Sequence, residues 1–181
     1  MRPATLLLIS AILFAYYAEL MLGGDAFCQA HGLVSAHPSV SSALSSMFLH
    51  DPEGYVHVGG NALFLLVFGT LVERSIGSLR FMVLYFAAGL GGAVCHVMVD
   101  PSATTPMVGC SGCVFGVMAA CAMIYPKTAV FVGVFALCNL IGLFAPELVG
   151  LHDVSVGAHV GGFVVGAAMM RVAFLRKMEE A

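Results

Sequence analysis

The chain has 181 residues, of which 60% are hydrophobic and only 9% charged, with a formal net charge of −3. Soluble domains carry roughly 25% charged residues, so this little charge cannot cover a water-facing surface and the bilayer is the expected solvent. The charges form no basic run, which argues against nucleic acid as a partner.

A helix that crosses a bilayer needs about 20 mostly apolar residues. Six stretches meet that need, at 4–22, 55–73, 80–99, 107–125, 128–146 and 154–174. The first exceeds the ~7–15 apolar residues of a signal h-region, so a retained helix is expected there. Residues 23–54 read as one long loop, with Gly23-Gly24-Asp25, His37-Pro38 and a Ser-rich stretch. Residues 74–79 read as a short polar turn, 100–106 as a polar, Pro-bounded link, and Pro126-Lys127 and Pro146 to Asp153 as the remaining turns. The expectation is an all-α, polytopic bundle of six transmembrane helices forming a single domain over 1–181.

Of the six cysteines, Cys95, Cys110, Cys113, Cys121 and Cys138 lie in apolar stretches, where Cys acts as a small apolar filler. None forms a Cys-x-x-Cys pair with a nearby His pair, so no zinc framework is indicated. Cys28, in the polar loop, is the one expected to meet an oxidising compartment.

The charges fix an orientation. With six helices, Arg2, Arg74, Arg80, Lys127, Arg171, Arg176 and Lys177 all fall on one side. The other side holds Asp25, Asp51, Glu53, Asp100, Glu147 and Asp153 and no Lys or Arg. The positive-inside rule then puts both termini in the cytoplasm. The second, fourth and sixth helices run inward from the external face, and their outer ends carry the polar residues of interest: His57 and Asn61, Ser111, and His159.

Polar and ionisable groups inside a membrane are costly and point to function by default. Singly, each of these four has an ordinary structural explanation; their arrangement carries the argument. The fourth helix reads Gly112-x3-Gly116-x3-Ala120 and the sixth Ala158-x3-Gly162-x3-Gly166. Such period-four stripes of small residues let membrane helices approach closely. Facing one another, they align Gly112 with Ala158, with Ser111 and His159 flanking the contact. A His beside a Ser is the minimal activated nucleophile, because the weakly acidic hydroxyl needs a base. His57 and Asn61 share a face one turn apart, with Gly59 and Gly60 between them to admit a close neighbour. Donors on that face, with the free N–H groups at a helix N-terminus, can stabilise an oxyanion formed near Ser111. Phe115 lies four residues beyond Ser111, placed to pack beside the His159 ring or simply in the core.

Together these residues resemble the rhomboid family of intramembrane serine proteases. Gly109-Cys110-Ser111-Gly112 is similar to the family's Gly-x-Ser-Gly nucleophile motif, and Ala158-His159-Val160-Gly161-Gly162 with Gly166 to its base motif. His57 to Asn61 resembles its His-x3-Asn, Phe48-Leu49-His50 its Phe-Leu-His, and Glu73 with Gly77 its Glu-x3-Gly. The resemblance runs from about residue 45 to the end, in the family's order. Three features depart from it: His50 and His57 are seven apart where five is commoner, Trp is absent, and Phe115 stands where Tyr is common. These bear on loop geometry and substrate handling, not on the nucleophile or base.

The resemblance implies a serine endopeptidase acting on transmembrane protein substrates through a dyad, Ser111 with His159 as base, without metal or cofactor. It implies Asn61, His57 and the Ser111 backbone N–H as oxyanion donors. A multi-pass position in a plasma (bacterial inner) membrane follows, with the active site opening outward. Two other classes compete: a catalytically inactive rhomboid-like protein that binds membrane clients, and a small transporter lined by the external histidines. The first ordinarily lacks the Ser or the His, and the second needs a polar path that the apolar cytoplasmic halves of these helices do not offer.

Overall fold

The computed structural model describes residues 2–52, 54–145 and 155–179, with side chains described as far as Val172. Among them are eight helices, and the only strand pairing is an antiparallel bridge between Leu33 and Met107. Four helices are long and apolar enough to cross a membrane: α1 (Pro3–Met21), α4 (Tyr55–Ile76), α5 (Ser78–Val99) and α7 (Ala129–Phe144, entered through a tight turn at Pro126–Thr128). Two helices with shorter apolar stretches join them, α6 (Ser111–Ile124) and α8 (Val156–Glu179, apolar over Val156–Val172). The outward faces are apolar and bare: Phe14, Leu79, Val130 and Phe144 are each at least 74% exposed. Such surfaces suit lipid and not water, so this is an integral, multi-pass membrane protein.

The expected loop at 23–54 is more ordered than its composition suggests. It contains α2 (Asp25–His31) and α3 (Val40–Ser46), the latter opened by a capping box between Ser39 and Ser42. Seven-residue helices lie below the reach of hydrophobic periodicity, and the Ser-rich run reads as loop for that reason. The turn expected at Pro146 to Asp153, with Glu147, His152 and Asp153, lies outside the described residues, as does Glu53; so do the side chains of Arg176 and Lys177.

α6 departs most from expectation, and the departure matters. It begins at Ser111, not at 107, and has 14 residues. At 1.5 Å per residue it is about 21 Å long, against a hydrocarbon core of about 30 Å. Every residue from Gly112 to Cys121 is buried, so α6 is the centre of the bundle. The chain before it runs unwound beside the other helices. Unwound backbone at such depth is tolerated where protein covers it, and the 23–54 segment supplies the cover. Leu33 and Met107 exchange N–H···O bonds of 3.0 and 2.8 Å, and Gly109 N–H donates to the Ser46 carbonyl at 2.8 Å.

The glycine stripes meet. A Cβ on Gly112 would come within 3.0 Å of the Ala158 carbonyl oxygen, and one on Gly116 within 2.9 Å of the Gly162 oxygen. Cβ atoms on Gly162 and Gly166 would overlap the Gly112 and Gly116 carbonyls. α5 joins the same contact through Gly91 and Gly92, each four residues after an alanine: a Cβ on Gly92 would sit 2.7 Å from the Ala158 oxygen, and one on Gly161 would overlap the Gly91 oxygen. Thus α8 lies in a groove between α5 and α6, backbone against backbone.

At the other end of the bundle, Glu73 ties three helices. Its carboxylate accepts from the Ala4 and Thr5 N–H groups and from the Thr5 and Ser78 hydroxyls at 2.7–3.0 Å. Gly77 follows at φ +81°, the left-handed conformation that lets α4 turn directly into α5.

Candidate active site

Ser111 is the first residue of α6, and the turn before it is made by Gly109 at φ +120°. That conformation favours glycine, and so does the space: a Cβ there would lie 2.8 Å from His57 Cε1 and 4.0 Å from Asn61 Nδ2. The two donor-bearing residues of α4 therefore flank the turn that presents Ser111.

Ser111 Oγ lies 2.7 Å from His159 Nε2. The pairing follows from the facing stripes, since the contact of Gly112 with Ala158 lies one residue after Ser111 and one before His159. The His159 ring is buried and stacks on Phe115, with centroids 4.2 Å apart and planes 9° from parallel.

Asn61 is buried, and its Nδ2 lies 3.1 Å from His50 Nε2. His50 is fully buried, its ring 5.1 Å from that of His57, and its backbone N–H donates to the Glu19 carboxylate at 3.1 Å. Burial foremost, and then the neighbouring His57, hold the His50 imidazole down at about 4, against a smaller opposing pull from the Phe48 carbonyl. His50 is thus neutral and serves as a fixed partner for the Asn61 amide.

Two expectations are corrected. Gly59 and Gly60 do not admit a close neighbour, for a Cβ at either would meet nothing within 4 Å; Gly60 instead lines a cavity. Cys28 is not an open thiol. It is 5% exposed, its Sγ donates to the His50 carbonyl at 3.4 Å, and burial first, then the acidic neighbours Glu19, Asp25 and Asp51, push it up to about 11.

One residue of the site escaped the sequence reading. Asn139 of α7 places Oδ1 2.5 Å from His159 Nδ1, so the His is not without a side-chain partner behind it. Its signal was present, a lone amide in an otherwise apolar span, which membrane energetics marks as a functional pointer. Only Val132, Asn139 and Gly142 of that helix are buried.

A cavity of about 550 Å³ opens beside Ser111, between α4 and α7, walled by Val56, Phe64, Met118, Val134 and Phe135 and reached by His57, Asn61 and His159. A second, of about 380 Å³, lies between α7 and α8 and shares Phe115, Asn139 and His159 with the first. An apolar hollow with a few convergent polar groups is the usual form of a ligand site. Ser111, His159, His57 and Asn61 converge on the larger one, whereas the stripe residues Gly112, Gly116, Ala158, Gly162 and Gly166 lie behind it and set the helix spacing.

Residues 37–176 match the rhomboid domain. The chain is similar to RHOMBOID-like protein 5 of Arabidopsis thaliana, 33% identical over 137 residues that make up 74% of this chain and 44% of that protein. It is similar to Rhomboid protease GluP of Bacillus subtilis, 32% identical over 70% of this chain and 25% of that protein. It is also similar to Rhomboid-type serine protease 2 of Emericella nidulans, 31% identical over 68% of this chain and 25% of that protein. The matched region is thus between a quarter and a half of each relative's length. Some of these relatives are named as proteases and others only as rhomboid-like. With a domain match over most of its length and a third of the aligned residues identical to such a relative, the chain belongs to the rhomboid family.

Proposed function

We propose that the chain is a serine endopeptidase that cleaves transmembrane protein substrates within the plane of the membrane. The observation that carries the reading is the 2.7 Å approach of Ser111 Oγ to His159 Nε2 at the edge of an apolar cavity in a lipid-facing bundle. In the reaction, Ser111 Oγ adds to the scissile carbonyl carbon as its proton passes to His159 Nε2. The oxyanion forms beside the Gly109 turn, within reach of the Ser111 N–H, the free donor of Asn61 and the His57 ring. Collapse of the tetrahedral species breaks the C–N bond, and His159 returns the proton to the leaving amine. Water then adds to the acyl-enzyme ester, giving its proton to His159, and Ser111 leaves with that proton restored.

The reading includes six membrane-crossing segments with cytoplasmic termini. Two contacts support the arrangement of charge. Ser75 Oγ lies 2.8 Å from the Tyr125 hydroxyl, and Glu73 holds the start of α1. Arg2, Arg74, Arg80 and Lys127 so gather at one end of the bundle, the end away from Ser111. Because α6 is short, Ser111 sits below the outer membrane surface, where a peptide bond leaving a substrate helix can reach it.

Labelling the detergent-solubilised protein with a serine-reactive fluorophosphonate tests the reading. One adduct per chain, on Ser111 and absent from Ser111→Ala and His159→Ala, is the expected result. A folded parent protein that takes no label contradicts an activated serine and favours the inactive, client-binding alternative.

A further inference from the structure

Behind the Ser111–His159 pair lies a chain of contacts that determines which nitrogen of His159 carries its proton. Asn139 Nδ2 donates to the Phe135 carbonyl, one turn earlier on α7, at 2.9 Å. That bond commits the amide nitrogen to the helix and leaves Oδ1, an acceptor only, facing His159 Nδ1 at 2.5 Å. An acceptor opposite Nδ1 requires Nδ1 to carry hydrogen, and a neutral imidazole then has its lone pair on Nε2. Nε2 is the nitrogen against Ser111 Oγ. Phe115 stacked on the ring fixes its plane, and a flip of the ring, which puts carbons where Nδ1 and Nε2 stand, would break the bonds to both Asn139 and Ser111.

We propose that Asn139 is the positioning residue of the site: it holds His159 in the Nδ1–H tautomer and stabilises the imidazolium formed when Ser111 gives up its proton. The proposal rests on the serine-protease reading for its kinetic consequence, though not for the tautomer. The role is the one an orienting side chain plays behind the base of a nucleophile–base pair, filled here by a neutral amide. A neutral partner suits the location, because an ionised carboxylate in an apolar setting carries a large desolvation cost. Among the described residues that line the two cavities there is no Asp or Glu, and the titratable groups that share that lining with His159 are His57 of α4 and Cys138 of α7. The orienting bond also crosses from α7 to α8, at the wall between the two cavities. Its integrity therefore depends on α7 staying in place, although that helix buries few of its own residues.

The test begins without a mutation in the site's orienting residue. Long-range ¹H–¹⁵N correlation of ¹⁵N-histidine-labelled full-length protein in detergent, with the His159 signals assigned by their loss in His159→Gln, reads the tautomer directly. Nδ1 protonated and Nε2 bare is the expected result; a proton on Nε2 at neutral pH overturns the proposal, whether or not the protein cleaves anything. Kinetics on a single-span substrate supply the second arm. Asn139→Leu removes the acceptor at similar volume, and kcat is expected to fall on the order of 10²-fold with KM little changed, the scale of losing properly directed general-base catalysis. Asn139→Asp restores an acceptor and puts a carboxylate against the ring, and is expected to recover much of that loss while moving the acidic limb of the kcat–pH profile to higher pH. A purely structural Asn139 leaves that limb unmoved and makes activity follow the folded fraction, which contradicts the proposal. If the parent itself cleaves nothing, the protease reading falls, and the tautomer measurement still decides the role of Asn139.

Discussion

The carbonyl oxygen of Gly112 occupies the place where a Cβ on Gly162 would have to go. This contact sets the separation of α6 and α8, and with it the distance between Ser111 and His159, each one to three residues away along its own helix. Gly162→Leu is therefore expected to force the two helices apart. Overpacking typically costs about 1–3 kcal/mol and moves backbone, and a displacement of about 1 Å between reacting groups can cost on the order of 100-fold in rate. The expected outcome is a steep loss of activity in protein that still accumulates in the membrane, measured as kcat per folded molecule. Parental activity in Gly162→Leu would mean that this contact does not govern the site.

Asn61 makes a different prediction, because the proposed mechanism places its value in the transition state. His50 engages one face of its amide, leaving a donor toward the Gly109 turn. Loss of one oxyanion donor typically costs on the order of 10²–10³ in kcat. Asn61→Ala is expected to show that loss with little change in KM and to keep a slow, Ser111-dependent cleavage. Asn61→Asp is expected to be at least as poor, since a carboxylate has no donor and repels the developing charge. Melting temperature and kcat taken on the same preparation separate this from a role in helix packing. A stable Asn61→Ala protein with full kcat removes Asn61 from the site.

The architecture was largely open to sequence reading because bilayer thickness and helical rise leave few choices for apolar runs. The same physics made the Gly112–Gly166 stripes legible, since small residues at period four have meaning only where backbones touch. α5 carries the same period-four spacing in Ala87-x3-Gly91 and Ala88-x3-Gly92, and it takes up α8 just as closely, so that contact was legible too. What stayed hidden is equally physical. The start of α6 at Ser111 depends on the Ser46 carbonyl and the Leu33–Met107 bridge, contacts made by a distant loop. Asn139 sits alone in its span, and only the three-dimensional approach to His159 distinguishes it from an amide bonded to its own helix.

His50 gives the fold a pH dependence of definite sign. Its folded value of about 4 lies below the ordinary value of 6.5, so between those limits the unfolded chain binds a proton that the folded chain refuses. The stabilisation is complete above about pH 6.5 and is lost as pH falls toward 4, to a total on the order of 3 kcal/mol. Thermal unfolding in detergent is expected to show a lower Tm at about pH 5 than at about pH 7.5, with a smaller drop in His50→Gln. An equal drop in both proteins would assign the effect to other groups.

Cys28 and Cys138 reverse the reactivity that their sequence settings suggest. Cys28 lies in a loop but is buried and held protonated, whereas Cys138 lies in an apolar span and is exposed at the cavity beside Ser111. Thiolate is the reactive form. Short maleimide treatment of the folded protein in detergent, followed by peptide mass spectrometry, is expected to modify Cys138 well before Cys28. Rapid modification of Cys28 would show that the contact between its thiol and the His50 carbonyl does not persist in solution.

The central claim is that Ser111, activated by His159, cuts a peptide bond inside the bilayer. Its most direct measurement is cleavage of a single-span test substrate co-reconstituted in liposomes with the purified protein, followed by mass analysis of both fragments. The account predicts two fragments that meet at one bond in or next to the substrate's apolar helix, with no cleavage by Ser111→Ala or His159→Ala protein of parental stability. Undiminished cleavage by purified Ser111→Ala would contradict it.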